Sequence, residues 1–98
     1  MNDRKDGDWT PLHRACETGR LPVAKLLVEA GAQVNATQEN KITPLYSAAH
    51  FGHAEVARYL LENSAKVNTQ NEDGVAPIHL AAADGNLKLL QVLVDGMF

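Results

Sequence analysis

Thr10-Pro11-Leu12-His13, followed by Ala15, Gly19 and the apolar run Leu26-Leu27-Val28, is the stretch whose return decides the architecture. It comes back as Thr43-Pro44-Leu45-Tyr46 and again as Ala76-Pro77-Ile78-His79, each time after 33 residues. The same interval links Ala15 with Ala48 and Ala81, Gly19 with Gly52 and Gly85, Val23 with Val56 and Leu89, and Leu27 with Leu60 and Leu93. Agreement in phase at so many positions marks a repeat array, in which one supersecondary unit stacks on the next. Val34-Asn35 returns as Val67-Asn68, so nearly the whole chain belongs to the array. The spacing predicts one domain over 5–98, with units at about 5–37, 38–70 and 71–98 and a disordered tail at 1–4.

Each unit reads as two short helices and an extended turn. Thr10 and Thr43 stand where a hydroxyl caps a first turn, and Pro11, Pro44 and Pro77 take the helical position that needs no N–H. Gly19, Gly52 and Gly85 should close the first helix in the left-handed conformation. A second helix should run from about Leu21, Ala54 and Leu87 to Ala30, Asn63 and Asp95. Helices this short are marginal alone, so packing must hold them. Small residues such as Ala48, Ala49, Ala81 and Ala82 allow close approach, and Leu26, Leu27, Leu60, Leu61, Val92 and Leu93 are expected to fill the buried side. Asn40-Lys41 and Asp73-Gly74 are the expected turn centres of the polar stretches between units.

These motifs, in phase from about Lys5 to the C-terminus, resemble an ankyrin-repeat protein. The resemblance implies an all-α solenoid of stacked helix-turn-helix units with projecting β-hairpin fingers, and a binding function without catalysis. Several positions depart from the family pattern. Ala76 replaces the capping threonine, which should weaken that helix start by about 1 kcal/mol. Tyr46 replaces the motif histidine, and Asp8 and Lys41 stand where the family favours glycine in the finger. Ser64 and Met97 occupy the phase of Gly31, so Asn63 or Gly96 is expected to provide the left-handed residue. The third unit stops after its second helix with Leu89, Leu90, Val92, Leu93 and Val94 as apolar as in an internal repeat. A fragment of a longer array and a complete small protein both remain open, with self-association through the C-terminal helix, at Leu90 and Val94, as a consequence of an exposed end.

Composition narrows the function. The 98 residues carry 12 acidic against 9 basic side chains, a net charge of −3 and 45% apolar residues. That sign disfavours nucleic acid and anionic lipid as partners. No apolar run approaches a membrane span, and no apolar segment follows Met1 to Asp6 as in a secretory signal. With Cys16 as the lone cysteine, an intracellular, cytoplasmic or nuclear setting is expected.

The resemblance places binding on the finger tips and the exposed side of the first helix. By phase these are Asp6, Gly7, Trp9, Glu17, Thr18 and Thr37; Glu39, Asn40, Ile42, His50, Phe51 and Gln70; and Glu72, Asp73, Val75, Ala83 and Asp84. Six of these are acidic, while every Lys and Arg falls elsewhere. Trp9, Ile42 and Val75 share one phase, with Phe51 nearby, so an apolar and aromatic row beside carboxylates should take a basic, partly apolar protein or peptide. Packing of finger against finger is the alternative role for Ile42 and Val75.

Other groups point away from chemistry. His50 and His53 are separated by the helix-breaking Gly52, so no metal site is expected. His13 and His79 belong to the motif that the family uses to hold the finger, and Cys16 takes the place of a small buried alanine. No nucleophile elbow, phosphate loop or carboxylate pair is present, so neither an enzyme nor a cofactor is expected. Asn35 and Asn68 are similar in context to ankyrin asparagines that are hydroxylated, with a structural role in the finger as the alternative. The reading is a non-enzymatic protein-recognition module; its alternative is a structural segment of a larger ankyrin-containing enzyme, channel or scaffold.

Overall fold

The computed structural model of the protein describes residues 9–97. The tail expected at 1–4, the site candidates Asp6 and Gly7, and also Asp8 and Phe98 lie outside them. Six helices follow one another: α1 (Pro11–Thr18), α2 (Leu21–Glu29), α3 (Pro44–His50), α4 (Ala54–Glu62), α5 (Pro77–Asp84) and α6 (Leu87–Gly96). Their bounds follow the punctuation in the sequence. Thr10 and Thr43 adopt extended backbone and their hydroxyls accept the N–H of His13 and Tyr46, and proline opens α1, α3 and α5. Gly19 and Gly85 close α1 and α5 with φ of 71° and 69°, a conformation cheap only without a Cβ.

The helices form two rows. The first helices α1, α3 and α5 pack side by side, and the second helices α2, α4 and α6 make the row behind, each touching its own partner. Between the rows lies the core, in which Leu12, Leu45, Leu60, Leu89 and Leu93 are fully buried beside Ala15, Ala48 and Ala81. The alanines permit close packing of the first helices, while each buried leucine contributes about 2 kcal/mol. No helix here is long and apolar enough to cross a membrane.

Four local expectations change. The fingers project as hydrogen-bonded turns, with no strand among the described residues. In one, Gln38 N–H donates to Ile42 O (3.3 Å) and Lys41 N–H to Gln38 O (3.0 Å); in the next, Asn71 N–H donates to Val75 O (2.9 Å) and Gly74 N–H to Asn71 O (3.0 Å). The turn centres therefore sit one residue earlier than expected, at Glu39-Asn40 and Glu72-Asp73, and the left-handed residues Lys41 (φ 66°) and Gly74 (φ 78°) follow them. Side chains replace a strand ladder: Gln38 Oε1 accepts the N–H of Asn40 and Ile42, and Asn71 Oδ1 those of Asp73 and Val75. Satisfied locally, these amides need no paired strand; one bond, Glu72 N–H to Asn40 O, joins finger to finger.

Ser64 itself takes the left-handed position, at φ 75°, whereas Asn63 stays at −112°. Gly96 ends α6 as a helical residue, and Met97 continues at φ −82°. Leu26, expected inside, is 68% exposed, while its phase-mate Val92 is 5% exposed. Burial at this phase requires a preceding repeat, and the first repeat has none among the described residues. At α5, Ala76 offers no side-chain cap, yet His79 Nδ1 accepts the Ala76 N–H at 2.8 Å and restores half of the motif.

Candidate protein-binding site

The motif histidine positions the site. His13 is fully buried, and its Nδ1 accepts the N–H of Thr10 at 3.2 Å, which leaves the proton on Nε2 to donate to Ile42 O at 2.7 Å. One ring thus fixes both the start of α1 and the base of the following finger. Trp9 stacks its edge on that ring at 5.2 Å and 90°. Tyr46, which replaces the histidine in the second repeat, does the related task through its hydroxyl, which accepts from Asn71 Nδ2 at 3.2 Å.

Between Trp9, Ile42 and the exposed side of α3 lies a cleft of about 320 Å³ lined also by Glu17, Tyr46, Ser47, His50 and Phe51. Its rings are ordered along α3. Tyr46 and His50, four residues apart, lie near parallel at 6.3 Å, and Phe51 meets His50 edge-on at 4.7 Å. Phe51 is 53% exposed, so most of its ring is available to a partner. The wall can bury an apolar side chain, and Glu17 places a carboxylate at its rim.

Of the candidates read from the sequence, the structure brings Trp9, Glu17, Ile42, His50 and Phe51 together in this cleft. Glu39, Asn40, Glu72 and Asp73 stand exposed at the finger turns, outside it. Val75, half-buried, uses both backbone groups within its own finger. Thr18 turns its hydroxyl back onto Arg14 O and Ala15 O, and Asp84 is exposed at the end of α5. The expected separation of acids from bases is incomplete, because Arg14 Nε lies 3.4 Å from Glu17 Oε1, one turn away. Tyr46 and Ser47 line the cleft although neither is among the binding candidates read from the sequence; the spacing of Tyr46 four residues before His50 is the available signal. Gln38 and Asn71, the turn locks, were legible as amides in one phase.

The remaining groups are structurally committed. His53 Nε2 lies 3.1 Å from Glu17 O, bridging two repeats, so His50 and His53 serve different partners. Among the described residues no three His, Cys, Asp or Glu side chains cluster to hold a metal ion. Burial pushes the Cys16 thiol up to about 12, so it stays protonated and unreactive at neutral pH. Asn35 spans the joint between repeats, its Nδ2 donating to Ser64 O (3.0 Å) and its Oδ1 accepting Lys66 N–H (2.8 Å). Its bonds go to the turn after α4 rather than to a finger. Asn68 is exposed.

Comparison with known proteins agrees with this architecture. The family model described as "Ankyrin repeats (many copies)" matches residues 12–61 and 55–94. Among solved structures, the crystal structure of the human ASB11 ankyrin repeat domain is similar, with a TM-score of 0.87 and 35% identity over 90% of this chain. The chain spans 40% of the length of that domain. No curated protein sequence matches. Ankyrin-repeat domains are generally protein–protein interaction modules and typically do no catalysis. With its period of 33, its two rows of stacked helices and matches that run through all three repeats, the chain belongs to the ankyrin-repeat family.

Proposed function

We propose that this chain is a non-enzymatic recognition module that docks a basic, partly apolar segment of another intracellular protein in the cleft of Trp9, Ile42, Tyr46, His50 and Phe51. The observation that carries the reading is the half-exposed Phe51 ring, held edge-on against His50 beside the Glu17 carboxylate. An aliphatic or aromatic anchor of the partner fills the apolar wall, and a lysine or arginine meets Glu17 and the finger acids Glu39, Glu72 and Asp73. Because His13 and Asn71 already fix the fingers, little interface entropy is lost on binding. Asn68, exposed where Asn35 is committed, is the better hydroxylation candidate of the two; intact-mass analysis from cells that shows no added oxygen would dispose of that modification.

The test is a peptide array graded in basic and apolar content, probed with the wild-type chain and with Phe51→Ala at matched helical circular dichroism. Peptides combining Lys or Arg with a large apolar residue should be retained by the wild type, weakly by the variant, and released by moderate salt. Equal retention by both, or preference for acidic peptides, would remove the cleft as the site. A second reading, a structural segment inside a larger ankyrin-containing enzyme, channel or scaffold, draws on the exposed Val23 and Leu26 of α2, which in that case pack on a neighbouring repeat.

A further inference from the structure

Between α4 and α6 lies an open groove of about 250 Å³, lined by Arg58, Leu61 and Glu62 on one side and by Val92, Asp95 and Gly96 on the other. One repeat earlier the same six phases are Lys25, Val28 and Glu29 on α2, and Tyr59, Glu62 and Asn63 at the end of α4. There the half-buried Tyr59 ring lies under the ammonium of Lys25, whose Nζ is 5.8 Å from the ring centroid. Asn63 closes the same end by donating its Nδ2 to Tyr59 O at 2.9 Å. In the later joint both groups are missing. Val92 stands in the phase of Tyr59 and stops at its branched Cβ, and Gly96 stands in that of Asn63 and has no side chain. A Cβ on Gly96 would come within 2.9 Å of Leu61 Cδ1, so the bare backbone leaves that leucine its place on the groove floor. The groove differs from its counterpart by residue type, between two repeats that are both present, and not by a missing neighbour.

The cation is kept where the ring is not. Arg58, in the phase of Lys25, is exposed and makes no ion pair among the described residues, since Glu55, one turn before it, is held by Lys88. Leu61 and Val92 give the groove its apolar floor. Glu62 and Asp95 set carboxylates along it, and Asp95 Oδ1 also accepts from Gln91 Nε2 at 2.8 Å. An apolar cavity of about 150 Å³ already takes benzene, so the groove has room for a phenol ring. A guanidinium for the ring face and acceptor oxygens for a hydroxyl are the two polar features that a tyrosine side chain uses.

We infer that the groove between α4 and α6 receives a tyrosine side chain from a protein partner, which takes the place that Tyr59 fills in the preceding joint and lies under Arg58 as Tyr59 lies under Lys25. Leu61 and Val92 bury the ring, and Glu62 or Asp95 accepts a hydrogen bond from its hydroxyl. The groove is separate from the cleft at Phe51, which lies on α3.

Titration of the chain with N-acetyltyrosinamide, followed by amide proton–nitrogen correlation spectra, tests the inference. The wild type should show saturable shifts at Leu61, Val92, Asp95 and Gly96 with a dissociation constant of about a millimolar, while N-acetylleucinamide over the same range should not saturate. Val92→Tyr supplies the missing ring from within and should abolish these shifts at matched helical circular dichroism. Arg58→Gln, at an exposed position, should weaken binding about threefold, and it serves as the test even where Val92→Tyr disturbs the fold. Phe51→Ala should leave the groove shifts unchanged, so groove and cleft stand or fall separately. Shifts confined to the surroundings of Phe51 overturn the inference, as does a leucine probe that binds as well as the tyrosine one. Undiminished binding by Arg58→Gln, or by a folded Val92→Tyr, overturns it as well.

Discussion

The joint between the first and second repeats and the joint between the second and third are built from the same plan, yet they are held differently. In the first joint, side chains grip backbone: His13 to Ile42 O, Asn35 to Ser64 O and Lys66 N–H, and His53 to Glu17 O. In the second, Tyr46 meets the Asn71 side chain, Asn86 approaches Gly52 O only at 3.5 Å, and Lys88 pairs with Glu55 on the surface at 2.5 Å. Asn68 shows no side-chain hydrogen bond among the described residues, and Met97, in the phase of Ser64, remains at φ −82° where Ser64 turns left-handed. A repeat interval therefore transmits apolar packing faithfully and polar stitching poorly. A leucine tolerates small displacements, whereas a hydrogen bond is lost within about half an ångström of misplacement.

That contrast can be broken most strongly at His13. Replacing it with alanine leaves Ile42 O with only the longer bond from Gln38 N–H, removes half of the cap on α1 and opens a cavity, so urea unfolding should show a loss of about 3 kcal/mol. Asn35→Ala should cost about 1–2 kcal/mol, while Asn68→Ala should change the midpoint little; equal effects would show that the two joints do not differ in this bridge. Ala76→Thr tests whether the third repeat lacks only its hydroxyl. It should raise stability by about 1 kcal/mol, read from the thermal midpoint, because the extended backbone and the His79 contact are already in place.

The smallest effect belongs to Lys88→Ala. The hydrogen bond from Lys88 holds the Glu55 carboxyl below its usual range, with the Lys88 charge adding to it. A carboxyl lowered in the folded state contributes stability above its unfolded pKa and loses it as the pH falls through the folded value. The pair is exposed, so the difference between variant and wild type should be slight at neutral pH, shrink further in high salt, and vanish in acid. A difference that grows in acid would assign Lys88 another role.

Most of the helical framework could be read directly because its signals are local. Proline at the start, threonine before it and glycine at the end act through φ, ψ and the first unsatisfied amides, whatever surrounds them. Ser64 shows the limit. Serine is a poor left-handed residue, so the turn was assigned to its neighbour Asn63, but closure of α4 onto the joint with Asn35 holds Ser64 at φ 75°. The candidate site was legible in its members more than in its extent. Trp9, Ile42 and Phe51 could be found by phase, whereas the presence of Tyr46 and the absence of Val75 depend on where α3 meets the first finger. The Arg14–Glu17 pair escaped because charge was assigned by position in the repeat, while an i,i+3 contact depends on which way two long side chains turn.

By itself, the sequence determined the period, the helix order, the caps and the family, since each of these rests on residue type at a fixed interval. Only the tertiary structure decided which copies of a repeated residue are inside. Leu26 and Val92 stand at one phase with equivalent roles in their helices, yet one is 68% and the other 5% exposed. Burial is a property of the neighbouring repeat as much as of the residue, and in a stacked array the hydrophobic face of a unit is covered only when another unit lies against it.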